Sequence, residues 1–183
     1  GLVEAGVVAS SVDPRGTQLQ AVADDQLVLV GAAPARAAQG AKADTQQGRN
    51  GQLNAALQAL ASARALHFRD SLALPFVGLS ARSALQVHID LQAQRLGARL
   101  NYRLRVGEVS DLLTLLSQGL GVAVLPQRLV PTRRGLRTWR LRDAWCQRQL
   151  CTCTLADAEP SAPMRSLLAA LHAEAASAHA ALA

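Results

Sequence analysis

Hydrophobic and polar residues follow two periods along the chain, which predict strands in some segments and helices in others. Residues 74–79, 100–106 and 122–125 are short apolar runs bounded by turn residues, and each run is typical of a buried strand. Between them, residues 80–97 and 111–118 place apolar side chains at helical spacing. This order of strand, helix, strand, helix, strand predicts a βαβαβ unit with a parallel sheet.

The remaining segments predict further strands, an insertion and two more helices. Short apolar runs predict strands at residues 2–9, 19–22, 27–30, 139–141 and 149–155. Helical spacing predicts one helix at about residues 51–65, with Asn50 as its N-cap, and a closing helix at about residues 162–178. The Ala- and Gln-rich residues 31–50 predict a surface loop or insertion.

Composition indicates a folded domain with a real core. The 183 residues are 50% hydrophobic and 3% aromatic, which fits one domain or two small lobes. No apolar run reaches the roughly 18 residues of a membrane span, and residues 1–10 do not resemble a leader, so we expect a soluble intracellular protein. The net charge is +6, but the 19 basic residues are scattered arginines apart from Lys42. This scatter predicts a solvated surface rather than a phosphate-binding patch.

Signatures of catalysis or of metal binding are weak. Neither a nucleophile-elbow motif nor a phosphate-binding loop occurs, and the four histidines do not fall at ligand spacings. The carboxylate pair Asp24 and Asp25 lies just before a predicted strand and predicts a solvated turn. The odd set of Cys146, Cys151 and Cys153 predicts small buried side chains in a strand rather than a disulfide framework. We therefore expect no enzyme activity, no metal and no cofactor.

Two predicted helix starts could bind a small polar molecule. In a parallel α/β sheet, ligands bind beyond the carboxyl ends of the strands, where helices begin with unpaired N–H groups and a partial positive charge. Ser80, Arg82 and Ser83 lie at one such start, and Glu108 and Ser110 lie at the other. The alternative interpretation, that Ser80 and Ser110 only cap their helices, stays open.

An ordered series of segments resembles the effector-binding domain of LysR-type transcriptional regulators. The series consists of residues 75–80, 83–86, 103–107 and 119–126, which read PFVGLS, SALQ, RLRVG and GLGVAVLP. Residues 2–11 resemble the strand that enters the family's hinge, and the resemblance continues through residues 27–30, residues 145–155 and the last helix. It covers nearly the whole chain except the Ala- and Gln-rich insertion.

The resemblance implies an α/β, two-lobed fold similar to type 2 periplasmic binding proteins, with parallel-rich sheets and an incomplete first lobe. It assigns residues 1–12 and 143–183 to a remnant of the first lobe, and residues 13–142 to the second lobe, with the insertion at about residues 31–62. Apolar faces of the first lobe would then lie open, so we expect the isolated polypeptide to self-associate or to be a fragment of a longer product.

The resemblance also implies which residues meet a small-molecule effector between the lobes. The candidates are Ser80, Ala81, Arg82, Ser83, Gly107, Glu108, Val109, Ser10 and Ser11. If Arg82 faces the cleft, a carboxylate effector is favoured, because a guanidinium pairs with a carboxylate through two hydrogen bonds.

The implied function is that of a regulatory domain in a bacterial, cytoplasmic transcription factor. Such a domain forms homo-oligomers, and the intact parent reaches promoter DNA through a winged helix-turn-helix domain. One alternative is a free-standing solute-binding protein of the same fold, which would need export. A second is a small α/β enzyme whose site the sequence motifs do not reveal. A helix-turn-helix or a leader sequence upstream would separate the regulator from the solute-binding protein.

Overall fold

The chain divides into two compact units. A computed structural model describes residues 3–10, 13–33, 47–60, 62–132 and 135–180. Unit 1 comprises residues 1–26 and 147–183, and unit 2 comprises residues 27–146. The described elements are, in chain order, β1 (Ala5–Ala9), β2 (Thr17–Ala32), α1 (Gln47–Ala59), β3 (Ala65–Leu66), β4 (Pro75–Leu79), α2 (Ala84–Arg95), β5 (Asn101–Val106), α3 (Val109–Ser117), β6 (Val122–Pro126), β7 (Leu136–Leu141), β8 (Gln147–Leu155) and α4 (Ala162–Ala180).

Unit 2 contains the βαβαβ unit that the sequence predicts. Strand β4 pairs in parallel with β5 on one side and with β6 on the other. The last residues of β4 and β5, Leu79 and Val106, are register partners. The second half of β2 pairs antiparallel with β6 and with β7, and β3 runs parallel to β7. The central parallel strands are therefore confirmed, with antiparallel strands added beside them.

Helices cover both faces of the unit 2 sheet. Successive side chains of a strand point to opposite faces, and the middle of β2 shows this alternation. Leu27 and Leu29 pack in one core with side chains of α1 and α2, whereas Val28 and Val30 pack in a second core with α3. A strand buried on both faces reads as a continuous apolar run, which is the pattern at residues 27–30.

Unit 1 is a three-stranded antiparallel sheet with the helix α4. Strand β8 lies in the centre, with β1 on one side and residues 17–26 of β2 on the other. This antiparallel sheet differs from the parallel-rich sheets that the resemblance implies for both lobes. The alternation along β8 places Cys151 and Cys153 on one face, where the first is buried and the second half-buried.

The prediction of a solvated turn at Asp24 and Asp25 is wrong. Both residues lie inside β2, and Asp25 is buried at 2% exposure. Its carboxylate accepts hydrogen bonds from Nε and a terminal nitrogen of Arg148 on β8, at 2.7 and 2.6 Å. An acidic residue is compatible with a buried strand here because the paired arginine compensates its charge.

Two element boundaries also differ from the prediction. The two short strands expected at residues 19–22 and 27–30 form the single strand β2. Helix α1 spans Gln47–Ala59, earlier than the expected residues 51–65, so Asn50 lies inside the helix and is not its N-cap. Residues 34–46 of the predicted insertion lie outside the described residues.

The boundaries of the two units along the chain differ from those of the predicted lobes. The sequence placed the divisions after residues 12 and 142, whereas the two units divide after residues 26 and 146. The cause is the pairing of the first half of β2 with β8, from Thr17 opposite Leu155 to Gln26 opposite Gln147. That pairing keeps residues 13–26 in unit 1.

None of the helices in the described part of the chain combines the length and the hydropathy needed to span a bilayer.

Candidate functional site

Two helix starts lie side by side at one edge of the unit 2 sheet. Because β4 and β5 are parallel and end at the register pair Leu79 and Val106, the residues that follow them emerge at the same edge. We call this set, residues 80–83 and 107–109, the carboxyl edge. The structure thus brings together the two segments that the sequence singled out in unit 2.

The first segment forms a tight turn between β4 and α2. Ser80, Ala81 and Arg82 are exposed, and Ser83 is half-buried at the N-cap position of α2. The N–H of Ser83 donates to the carbonyl of Ser80 at 2.9 Å, and the N–H of Arg82 donates to the Ser80 hydroxyl at 3.4 Å. The Ser83 side chain makes no capping hydrogen bond. Capping therefore does not account for the two serine hydroxyls at this turn.

The second segment connects β5 to α3. Gly107 and Glu108 are exposed, and Glu108 is the N-cap of α3 without a capping hydrogen bond from its side chain. Val109 is half-buried and packs against the core on the α3 side. Ser110 is the second residue of α3, so the interpretation of Ser110 as a cap is wrong. What this segment offers a ligand is mainly the first-turn backbone and the exposed Gly107 and Glu108.

A polar network that the sequence analysis missed supports this edge from below. The buried Gln86 of α2 accepts the N–H of Leu79 at 2.8 Å through its carbonyl oxygen, and its amide donates to the Tyr102 hydroxyl at 2.5 Å. The Tyr102 hydroxyl donates to Asp90 at 2.5 Å. Arg105 donates to Asp90 at 3.1 Å and to the Leu79 carbonyl at 3.4 Å. The last residue of β4 is therefore held through both its N–H and its carbonyl.

Tyr102 has the protonation state that this network requires. Burial raises the pKa of Tyr102 well above its usual value, with the hydrogen bond to Asp90 adding to the effect. The phenol therefore stays protonated, and its O–H donates a hydrogen bond to the Asp90 carboxylate. The Arg105 guanidinium lies 3.9 Å from the centre of the Tyr102 ring, in a cation–π contact. The sequence signal for the network is weak, since it consists only of Gln86 and Asp90 one helical turn apart on α2.

The close packing of the network depends on a glycine. A Cβ atom at Gly78 would lie 2.6 Å from Cε1 of Tyr102 and 2.9 Å from Oε1 of Gln86. Any larger residue would push the tyrosine ring or the glutamine amide away from the end of β4. Gly78 thus allows the network to reach Leu79.

A third strand also ends at this edge. Strand β6 runs parallel to β4, with Val122 opposite Phe76, so its last residue Pro126 lies level with the end of β4. Gln127 and Arg128 follow in an exposed turn. Neither Gln127 nor Arg128 is among the candidate residues that the sequence indicated.

The two hinge candidates belong to unit 1. Ser10 is exposed, its N–H donates to the Gln149 carbonyl at 2.8 Å, and its hydroxyl accepts the Gln149 N–H at 3.1 Å. These bonds extend the pairing of β1 with β8 by one residue. The Ser10 hydroxyl therefore has a structural role already, while Ser11 lies outside the described residues.

Comparison with known proteins identifies the family. The model of the LysR substrate binding domain matches residues 1–176. The chain belongs to the LysR substrate-binding family. No curated protein matches it. Among solved structures, the regulatory domain of Synechocystis PCC6803 CcmR in complex with 2-PG superimposes with a TM-score of 0.69 at 16% identity, over 94% of this chain and 73% of that one.

Two further LysR-type proteins of known structure have the same fold. The BenM effector-binding domain with its effector benzoate gives a TM-score of 0.65 at 15% identity, covering 97% of this chain and 71% of that domain. Full-length CbnR in complex with its target DNA gives a TM-score of 0.60 at 11% identity, covering 94% of this chain and 52% of CbnR. This LysR domain therefore has the fold of the family's effector-binding part, similar to periplasmic binding proteins.

Membership of the family supports the regulatory function among those that the sequence left open. A LysR substrate-binding domain is the effector-binding regulatory part of a transcription regulator, as the sequence resemblance implied. The similar structures are likewise regulatory domains or whole regulators.

Proposed function

We propose that the carboxyl edge of unit 2 binds a small organic acid, and that this acid is the effector of a LysR-type regulator. The observation that carries the proposal is the pairing of Leu79 with Val106, which sets two helix starts side by side. Neither N-cap side chain caps its helix, so first-turn N–H groups at both starts can meet an anion.

The side chains of the first turn suit a carboxylate. The Ser80 and Ser83 hydroxyls can donate to an oxygen, and the exposed Arg82 can form a bidentate pair with it. Gly107 allows the ligand to approach the backbone of the second turn closely, because it has no side chain. The binding of benzoate by BenM, a protein of the same fold, supports an acid as the ligand class.

In this proposal unit 2 corresponds to the second lobe of the family's effector-binding domain, and unit 1 to part of the first. The intact regulator acts in the bacterial cytoplasm as a homo-oligomer, and reaches promoter DNA through a winged helix-turn-helix domain. The structure of full-length CbnR with its target DNA supports DNA binding by a regulator that contains a domain of this fold.

A thermal-shift screen tests the ligand class. The full chain is heated with aromatic and aliphatic monocarboxylic acids, each compared with its primary amide, since a ligand that binds only the folded state raises the melting temperature. We expect at least one acid to give a saturable rise that its amide does not give. Arg82→Gln should weaken the apparent affinity about tenfold, the effect of losing one charge-assisted contact.

A matched variant distinguishes the site from a general effect of charge. Arg95 lies in the last turn of the same helix, is exposed, and is bonded to Gln92. Arg95→Gln therefore makes the same change of charge away from the carboxyl edge and should leave the affinity unchanged. The proposal would be contradicted if Arg82→Gln and Arg95→Gln lost affinity equally. It would also be contradicted if acids and amides raised the melting temperature equally.

A further inference from the structure

Unit 1 contains a polar groove of its own, between its sheet and helix α4. The groove has a volume of about 600 Å³. Its polar lining consists of Gln18, Gln20, Thr152, Thr154, Arg165 and His172. All six residues lie in unit 1, so the groove is separate from the carboxyl edge of unit 2.

Polar side chains of the unit 1 sheet form one wall of the groove. Gln18 is the register partner of Thr154, and Gln20 is the partner of Thr152. Residues two apart on a strand share a face, so these four side chains form a polar patch across β2 and β8. Gln18 and Gln20 are exposed and Thr154 is half-buried, so these polar groups are accessible to a ligand in the groove.

Helix α4 presents its own polar groups to the same space. Arg165, Leu168 and His172 are spaced by three and four residues, and hence lie on one face of the helix. Arg165 donates one guanidinium N–H to the Pro160 carbonyl at 2.7 Å, which orients the group at the groove. A guanidinium carries five N–H donors, so this bond leaves further donors for a ligand.

Hydrogen bonding fixes the orientation of the histidine. The Thr152 side chain is buried, and its hydroxyl donates to the Gln20 carbonyl at 3.3 Å. Nε2 of His172 lies 2.9 Å from the Thr152 hydroxyl oxygen, within hydrogen-bonding distance. The imidazole is thus held at the wall of the groove by its contact with Thr152.

We propose that this groove is a second ligand site, for a small organic acid with an apolar body. The carboxylate would pair with Arg165 and accept from the Thr154 hydroxyl, while Leu168 and Pro160 would contact the apolar part. Among the described residues that line the groove, none is acidic, so the local charge favours an anion. The site needs no residue of the carboxyl edge and stands independently of the function proposed for it.

Nuclear magnetic resonance of the full chain tests the second site. The probe is 4-fluorobenzoate, with 4-fluorobenzamide as its uncharged counterpart, and the readout is the imidazole signal of His172. We expect a saturable shift with the acid and none with the amide. The shift should persist in the double variant Arg82→Gln/Ser83→Ala, which alters the carboxyl edge but not the groove.

Two arginine variants of unit 1 show whether the shift reports the groove. Arg165→Gln should weaken the response of His172 to the acid about tenfold, since it removes the charged partner. Arg15→Gln makes the same change of charge at an exposed residue bonded to Asp13, and should leave the response unchanged. Arg165→Lys retains the charge and should weaken binding less than Arg165→Gln. The proposal is overturned if His172 does not respond to the acid, if acid and amide act alike, or if the Arg165→Gln and Arg15→Gln responses are equal.

Discussion

Tyr102 links two elements beneath the carboxyl edge through a single hydroxyl. It accepts the amide of Gln86 and donates to Asp90, and both partners belong to α2 whereas Tyr102 belongs to β5. Gln86 in turn holds the N–H of Leu79, the last residue of β4. The position of the turn at residues 80–83 therefore depends on a hydroxyl that never has to touch a ligand.

We expect Tyr102→Phe to lower the free energy of unfolding by about 2 kcal/mol, because it leaves the Gln86 amide and Asp90 without the group they share. Urea denaturation of the variant and of the native chain measures the difference. The same variant should weaken binding of an acid at the carboxyl edge, as the support of Leu79 loosens. An unfolding free energy equal to that of the native chain would show that the network has no part in stability.

The buried ion pair of Asp25 and Arg148 lies where β2 and β8 pair across unit 1. Removing one partner of such a pair leaves a buried charge without its counterion. We expect Arg148→Met to lower the free energy of unfolding by about 3 kcal/mol. Urea denaturation is again the measurement.

An exposed arginine provides the comparison for Arg148. Arg140 lies on β7 with its side chain exposed, so Arg140→Met should change stability by no more than about 0.5 kcal/mol. The double variant Asp25→Leu/Arg148→Met should recover part of the loss, since two apolar residues can replace a buried pair. If Arg148→Met costs no more than Arg140→Met, the pair does not stabilise unit 1.

At the scale of elements, β1 is an edge strand whose free side can pair with a second copy of the chain. Among the described residues it pairs only with β8, and Val3 and Val7 are 77% and 60% exposed. Leu167 and Leu171 of α4 are also exposed large apolar residues. An uncharged, exposed edge strand is a template for pairing with another chain.

We expect the native chain to self-associate. The variant Val7→Lys should lower the average mass measured by light scattering, because a charge on an edge strand opposes pairing with another chain. Val87 on α2 is exposed to a similar degree, at 54%, and serves as the control. Val87→Lys should leave the mass unchanged. A native chain that scatters as a monomer would refute the expectation.

The elements that the sequence predicts well are those whose signal is local. Residues 74–126 combine short apolar runs, helical spacing and turn residues, so β4, α2, β5, α3 and β6 fall within a few residues of their predicted bounds. Strand β2 could not be predicted whole, because Asp24 and Asp25 interrupt its apolar pattern. The charge of the buried Asp25 is compensated by the distant Arg148, on a strand that follows much later in the chain.

In the candidate site, too, some residues could be predicted from a local sequence signal and others could not. Ser80, Ser83 and Gly107 follow predicted strands, and the general position of ligand sites in α/β sheets is enough to select them. The network of Gln86, Asp90, Tyr102 and Arg105 could not be selected, because its members meet only when β4 and β5 pair beneath α2. The polar face of the unit 1 groove was missed for the same reason, since the register of β2 against β8 creates it.

At the scale of the whole molecule, the two units offer different chemistry within one LysR substrate-binding domain. Unit 2 offers helix starts, hydroxyls and an arginine along the end of a mixed sheet. Unit 1 offers a groove with an arginine and an oriented histidine over an antiparallel sheet. Both arrangements suit an organic acid. We propose that the effector binds to unit 2.

The location of effector binding is the most direct test of this assignment. The acid that raises the melting temperature most is titrated into the isotope-labelled full chain, and backbone amide signals are followed by nuclear magnetic resonance. We predict that the amides of residues 80–83 and 107–109 shift together, saturate with one dissociation constant, and lose that response in Arg82→Gln. Saturation with no shift at those residues, or with the same response in Arg82→Gln, would contradict the account.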